Sequence, residues 1–227
     1  MNGEPFVLLR DALISHGDGL RVACSLGVED MVVLHEVARA TASVGLKPRV
    51  FLLDTGRLPE ESHALLDAAK QRYAIDIEVY LPDAISVESL VRRQGANGFY
   101  DSVQARRACC EARKLGPLAR ALLGATAWVT GLRREQSPTR ADIPVSEVDE
   151  RGLLKLSPLA LWTSDQVWTF AREHEVLTHP LHSRGYTSIG CAPCTRATNP
   201  GEPLRAGRWW WEAPEHKECG LHARRAS

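Results

Sequence analysis

Six cysteines carry the first hint of chemistry in this chain. Cys109 and Cys110 are adjacent, Cys191-Ala-Pro-Cys194 is a CxxC, and Cys24 and Cys219 stand alone. Four thiolates from a vicinal pair and a distant CxxC are enough for tetrahedral zinc or for a cubane iron–sulfur cluster. Spacing alone does not choose between them. Structural zinc more often uses two CxxC pairs, and vicinal ligands chelate one ion awkwardly, whereas four-cysteine ligation also suits 4Fe-4S. Inert buried thiols pack well but rarely cluster in this way. Structural disulfides belong mainly to small secreted domains, so metal ligation and catalysis are the leading uses. Cys219 has His222 close behind it and Arg205 and Arg208 upstream, and cations of this kind convert a thiol to the nucleophilic thiolate.

Three further segments suit an anionic ligand. Ser25-Leu-Gly-Val-Glu-Asp30 joins an apolar run to a helical pattern, and Ser25 and Gly27 at such a junction present backbone N–H groups to a phosphate. Read plainly it is also an ordinary strand-to-helix turn, with Glu29 and Asp30 as favourable first-turn acids. It matches neither a Walker A loop nor GxGxxG. Leu53-Asp54-Thr55-Gly56 ends a second apolar run. Gly131-Leu-Arg-Arg-Glu-Gln-Ser-Pro138 follows a third, and Arg133 and Arg134 are suited to bidentate pairing with phosphate or sulfate. Two adjacent arginines in a loop are otherwise a solvated face.

The elements that must position these groups alternate between strand and helix. Strands are predicted at Arg21–Ser25, Arg49–Leu53, Ile77–Leu81 and Ala127–Thr130, with helices near 28–40, 59–73 and 103–123, a βαβ pattern around a parallel sheet. Pro117 predicts a kink or break in the third helix. Leu154-Lys-Leu-Ser-Pro precedes another helix that Thr163 and Gln166 open as a capping box. Residues 1–178 read as one α/β nucleotide-binding domain. Residues 179–227 read as an irregular C-terminal segment carrying the CxxC and Cys219, folded over the domain's top or mobile. Lys plus Arg and Asp plus Glu both number 28 among 227 residues, so no global field attracts nucleic acid or an anionic membrane. No apolar stretch suits a membrane span and the N-terminus does not read as a signal peptide, which points to a cytoplasmic protein.

Taken together, the motifs resemble the APS/PAPS (adenylyl-sulfate and phosphoadenylyl-sulfate) reductase family. SLGVED looks like its modified PP-loop, lacking the final Ser or Thr of ATP-cleaving members because Met31 follows Asp30. LDTGRLPEE looks like its adenosine-side motif, and GLRREQSP is similar to its GxRRxxSP. RAGRWWWE and ECGLH resemble the C-terminal motifs. The resemblance implies an α/β, adenine nucleotide α-hydrolase-like (PP-loop) fold and assigns Cys219 as the catalytic nucleophile. Ser25, Gly27, Leu53, Asp54, Thr55, Gly56, Lys114, Arg133, Arg134, Arg205, Arg208 and His222 then belong to the substrate site. Cys109-Cys-Glu-Ala-Arg-Lys114 and Ser188-Ile-Gly-Cys-Ala-Pro-Cys-Thr195 resemble the cluster segments of the APS-specific branch, which implies a 4Fe-4S cluster on Cys109, Cys110, Cys191 and Cys194, with Lys114 linking cluster and substrate electrostatically. It further implies reduction of adenosine 5′-phosphosulfate to sulfite and AMP in assimilatory sulfate reduction for cysteine biosynthesis. Reduced thioredoxin or a glutaredoxin-like protein is the reductant expected in trans. Rival readings are a PAPS reductase, which generally lacks the four cysteines, a cluster-bearing tRNA thiolase, and a zinc-stabilised redox module. Cys24 reads as a buried strand residue, and a homo-oligomer stays open.

Overall fold

Short apolar runs form β1 (Leu20–Ala23), β2 (Arg49–Leu53), β3 (Ile77–Tyr80), β4 (Ala127–Val129), β5 (Ser146–Val148) and β6 (Leu154–Leu156). They make one sheet in the order β3-β2-β1-β4-β6-β5, parallel except for β5, which runs antiparallel to β6. Leu20, Val22, Val50, Leu52, Ala127 and Val129 are buried. Central strands covered on both faces read as continuous apolar runs for this reason. The computed structural model describes residues 4–213, 216–218 and 220–221, so Cys219 and His222 lie outside the described residues.

The helices are α1 (Glu4–His16), α2 (Val28–Val44), α3 (Glu60–Tyr73), α4 (Ala84–Gln94), α5 (Val103–Cys110), α6 (Gly116–Ala121) and α7 (Ser164–Glu173). Both α1 and α7 pack against α2, which supplies Met31, Val32, Leu34 and Val37 to the main core. Chain order reverses at β1, with β2 on one side and β4 on the other. In an open parallel sheet this reversal leaves a crevice at the carboxyl ends of the two strands.

The four expected strands are present, but β1 ends at Ala23, and Cys24 leaves the strand with its N–H donated to Phe51 O at 2.8 Å. The helices α1 and α4 and the β5–β6 pair are additional to the predicted set. The helix predicted at 103–123 is divided: α5 ends at Cys110, a π turn covers Glu111–Leu115, and Pro117 sits in the first turn of α6. Proline has no N–H to donate and its ring crowds the carbonyl four residues back, so the backbone widens there. That places Cys109 and Cys110 at a helix end and Arg113 and Lys114 in the π turn. The capping box of α7 forms as predicted, Thr163 Oγ1 accepting from Gln166 N at 3.1 Å and Gln166 Oε1 from Thr163 N at 2.8 Å. Among the described residues no helix is long and apolar enough to cross a membrane.

Candidate active site

A cavity of about 220 Å³ opens at the reversal point, bounded by the loops after β1, β2 and β4 and by residues 187–191 and 204–209. The loop after β1 turns through Leu26, buried at a left-handed φ of 65°, and Gly27 opens α2 without a side-chain cap. The first-turn amides of α2 thus have no side-chain partner at Gly27. Asp30 joins this loop to the one after β4, its carboxylate accepting from Ser25 N at 2.7 Å, from the Ser25 hydroxyl, and from Gly131 N at 2.9 Å. Burial raises its pKa, against the opposing pull of the Ser25 bonds. Only glycine fits at position 131, since a Cβ would lie 2.3 Å from Asp30 Oδ1 and 2.9 Å from Asp30 N.

Of the predicted substrate residues, Ser25, Gly27, Leu53, Thr55, Lys114, Arg133, Arg205 and Arg208 line the cavity. Asp54, Gly56 and Arg134 stand off it. Asp54 accepts from Gly56 N at 2.8 Å and pairs with His63 at 2.9 Å, shaping the turn after β2. Arg134 Nε donates to Ile143 O at 2.9 Å. Arg133 is buried and already paired, its Nη2 lying 2.8 Å from Glu29 Oε1 and 3.0 Å from Ser164 Oγ. Glu29 therefore does more than favour the helix dipole: it fixes one of the cations of the cavity wall.

A second, smaller space of about 20 Å³ adjoins the first and is lined by all four clustered cysteines together with Arg57, Arg106, Arg113, Lys114 and Arg208. Cys110, Cys191 and Cys194 are buried beside Phe99 and Trp209, with Cys109 half-buried against them. Thr55 Oγ1 contacts Cys191 Sγ at 3.2 Å, Arg57 O accepts from Ala192 N at 2.8 Å, and Arg113 Nη1 donates to Thr55 O at 2.7 Å. The loop after β2 thus ties the larger cavity to the thiols. Burial pushes Cys194 up to about 12 and raises Cys109. Among the described residues no three His, Cys, Asp or Glu side chains meet around a point that suits a single metal ion. Arg113 Nε, Arg208 Nε and Trp209 Nε1 are buried without an acceptor among the described residues. Buried donors rarely go unpaired, and these three flank the thiols. Cys24 is buried at the edge of the larger cavity, its pKa raised by burial.

The C-terminal segment returns to the same place. Arg106, fully buried on α5, pairs with both carboxylate oxygens of Glu212 at 2.9 and 2.7 Å, donates to His216 O and Glu218 O at 2.6 Å each, and stacks over Trp209 at 4.6 Å. The carboxylate of Glu218 is held by Arg140 and Thr139. Leu221 lines the larger cavity and packs with Phe51, Leu118 and Trp128. Residues on both sides of position 219 therefore lie against the cavity wall. Sequence reasoning missed Arg106, Arg113 and Arg140. The available signal was a charge beside cysteines or beside the Ser137-Pro138 turn, but partners as far away as Glu212 and Glu218 gave it no local meaning.

The family model for the phosphoadenosine phosphosulfate reductase domain matches residues 19–197. An adenosine 5′-phosphosulfate reductase of Allochromatium vinosum is 54% identical over 208 residues, covering 91% of this chain and 80% of that protein. Another of the same name from Rhizobium tropici is 56% identical over 171 residues, covering 75% of this chain and 95% of its own. A solved phosphoadenylyl-sulfate reductase from Candida auris, in complex with phosphate, superposes with a TM-score of 0.71 at 24% identity, covering 85% of this chain and 90% of that one. That likeness concerns the fold, and it agrees with the α/β PP-loop arrangement expected from the motifs. With the family match covering most of its length, the chain belongs to the phosphoadenosine phosphosulfate reductase domain family.

Proposed function

We propose that this protein reduces adenosine 5′-phosphosulfate to sulfite and AMP, with Cys219 as nucleophile, in the assimilation of sulfate toward cysteine. The observation that carries the reading is a junction: Lys114, Arg208, Cys191 and Trp209 line both the larger cavity at the strand ends and the thiol-lined space, and Glu218 and Leu221, on either side of position 219, dock beside it. The relatives named as adenosine 5′-phosphosulfate reductases point to the same substrate.

The amide at Gly27 and the first-turn amides of α2 suit the nucleotide's phosphate, while Ser25, held by Asp30, and Arg133, held by Glu29 and Ser164, frame them. Lys114, Arg205 and Arg208 supply positive charge for the sulfonate oxygens as negative charge shifts in the transition state. The Cys219 thiol gives up its proton, and the thiolate attacks the sulfur of the substrate. The bond from sulfur to the bridging oxygen breaks, AMP leaves with its electron pair, and Cys219 carries a thiosulfonate. A thiol of reduced thioredoxin, or of a glutaredoxin-like protein, then attacks Cys219 Sγ and expels sulfite with the S–S electron pair. The second thiol of that reductant resolves the mixed disulfide, so the two electrons come from the reductant. Docking of the C-terminal segment over the cavity keeps water from the first step.

The residues around the smaller space fit a 4Fe-4S cluster held by Cys109, Cys110, Cys191 and Cys194. All four thiols line one small space, and the surrounding arginines and unpaired N–H donors suit a group of net negative charge. When bound, the cluster supplies a fixed electrostatic field beside Lys114 and is not an electron relay.

The test compares steady-state sulfite release from APS and from its 3′-phosphorylated form, each with reduced thioredoxin. Preference for the 3′-phosphorylated substrate overturns the assignment. Cys219→Ser is expected to bind APS and form no sulfite, and sulfite formation by that variant removes the nucleophile.

A further inference from the structure

We infer that His182 and Glu29 are a pair of acceptors for the ribose hydroxyls of the substrate, and that together they set the site against a nucleotide phosphorylated on its ribose. The inference deepens the reading of an adenylyl-sulfate site given above and rests on it. His182 lines the larger cavity from a short turn, Pro180–Arg184. Its Nδ1 lies 2.7 Å from Tyr186 O. A carbonyl can only accept, so Nδ1 carries the proton and the neutral ring keeps its lone pair on Nε2. That Nε2 is buried and has no partner among the described residues. Trp168, edge to face at 5.1 Å, fixes the plane of the ring. Burial lowers the His182 pKa against the opposing pull of the Tyr186 bond and the Glu29 charge, so the ring is uncharged at neutral pH. A buried acceptor without a donor weakens the empty site, and a hydroxyl brought by a ligand removes that cost.

Glu29 stands in the first turn of α2, beside the amides that suit the phosphate. Its Oε1 takes both Arg133 contacts, at 2.8 and 3.1 Å. Its Oε2 lies 3.9 Å from where a Cβ on Gly27 would stand. In a nucleotide the ribose is bonded directly to the 5′-phosphate and the base lies beyond it. A phosphate on the Gly27 amide therefore brings the sugar hydroxyls, and not the base, beside this carboxylate. Dinucleotide sites use the same logic, where an acid selects a free ribose hydroxyl and an arginine accommodates a phosphate there. Here the neighbouring arginine is already committed, since Arg133 also meets Glu135, Ser164 Oγ and Trp162 O. The other cations of the wall serve elsewhere: Lys114 and Arg208 border the thiols, and Arg140 and Arg205 reach Glu218. A ribose phosphate would meet a carboxylate and a lone pair, which is discrimination by repulsion as well as by lost hydrogen bonds.

The experiment is a cycle that varies ligand and protein together. Calorimetry on the anaerobically purified holoenzyme compares AMP, 2′-deoxy-AMP, 3′-deoxy-AMP and adenosine 3′,5′-bisphosphate. Wild type is expected to bind at least one deoxy analogue about tenfold more weakly than AMP, and the bisphosphate at least as weakly. His182→Phe keeps a flat ring against Trp168 and removes the acceptor. In that variant AMP should weaken to the level of the affected analogue, and the analogue should lose nothing further. A purely structural role would weaken every ligand alike and keep the gap. Glu29→Gln retains an oxygen for Arg133 without the charge, and it should narrow the preference for AMP over the bisphosphate about tenfold. Wild-type affinity for both deoxy analogues equal to that for AMP overturns the inference without any variant. A deoxy gap that survives in full in His182→Phe, or a bisphosphate discrimination unchanged in Glu29→Gln, overturns it as well. Tighter binding of the bisphosphate than of AMP by wild type removes the substrate assignment and this inference with it, whereas a preference for AMP that both variants leave intact overturns this inference alone.

Discussion

Replacing Arg106 by methionine keeps much of the side chain's apolar length and removes its charge. The guanidinium has no solvent exposure, and it satisfies both oxygens of Glu212 together with two backbone carbonyls. Removing one member of a buried pair costs about 3–5 kcal/mol, since the remaining carboxylate is stranded. An alternative outlet exists: the segment from Trp209 onward can leave the body, at the cost of exposing Trp209, itself worth about 3–5 kcal/mol. The two costs are comparable, so the variant should both melt lower and open locally. At roughly 2–4 °C per kcal/mol for a chain of this size, the melting temperature should fall by about 6–20 °C. The assay is thermal unfolding combined with hydrogen exchange across residues 205–221. Adding Glu212→Leu should restore most of the loss, because no unpaired charge remains. A single variant as stable as wild type, or a double variant no better than the single, refutes the argument.

On the cluster proposed above, the purified protein should be brown and Cys191→Ser should lose iron, labile sulfide and colour together; an iron-replete variant would remove Cys191 from the ligand set. Gly131→Ala drives a methyl into Asp30 and should lower both stability and nucleotide affinity, since it separates the two loops that Asp30 joins. Calorimetric binding of AMP at wild-type strength would refute this. His35 and His179 are pushed down from 6.5 to about 4, mainly by burial and further by His174 and His182 respectively. The unfolded chain therefore takes up these protons first, so stability is full above pH 6.5 and declines as pH falls toward 4. Urea midpoints measured against pH should show that decline, and a flat profile across the window would contradict it. The Glu218 contribution weakens only below its ordinary value of 4.5 and is lost as pH falls through about 2, so it should not blur the histidine signal.

Much of the fold was legible because it rests on local pattern. The apolar runs at β1, β2, β3 and β4 and the periodicity of α2 and α3 are properties of short windows, as are the Thr163 cap and the break forced by Pro117. The β5–β6 pair escaped because charged residues break its three-residue strands, whereas β4, equally short, is apolar throughout; α1 carries exposed apolar residues at Val7 and Ile14 that blur its inner face, and α4 buries only Leu90. The site divides in the same way. Loop motifs and the four-plus-two partition of the cysteines are one-dimensional facts, and they led to the PP-loop family and to the candidate nucleophile.

What the sequence determined by itself was the inventory: which loops can hold a nucleotide, which thiols come in pairs, and which family shares them. Only the tertiary structure decided how these parts are wired. It turned Asp54 and Arg134 away from the cavity, gave Arg133 to Glu29, and brought Arg106 to Glu212 and Arg140 to Glu218. Such pairs join residues far apart in the chain. Their energy comes from desolvation and fork geometry, which exist only once the chain has closed on itself.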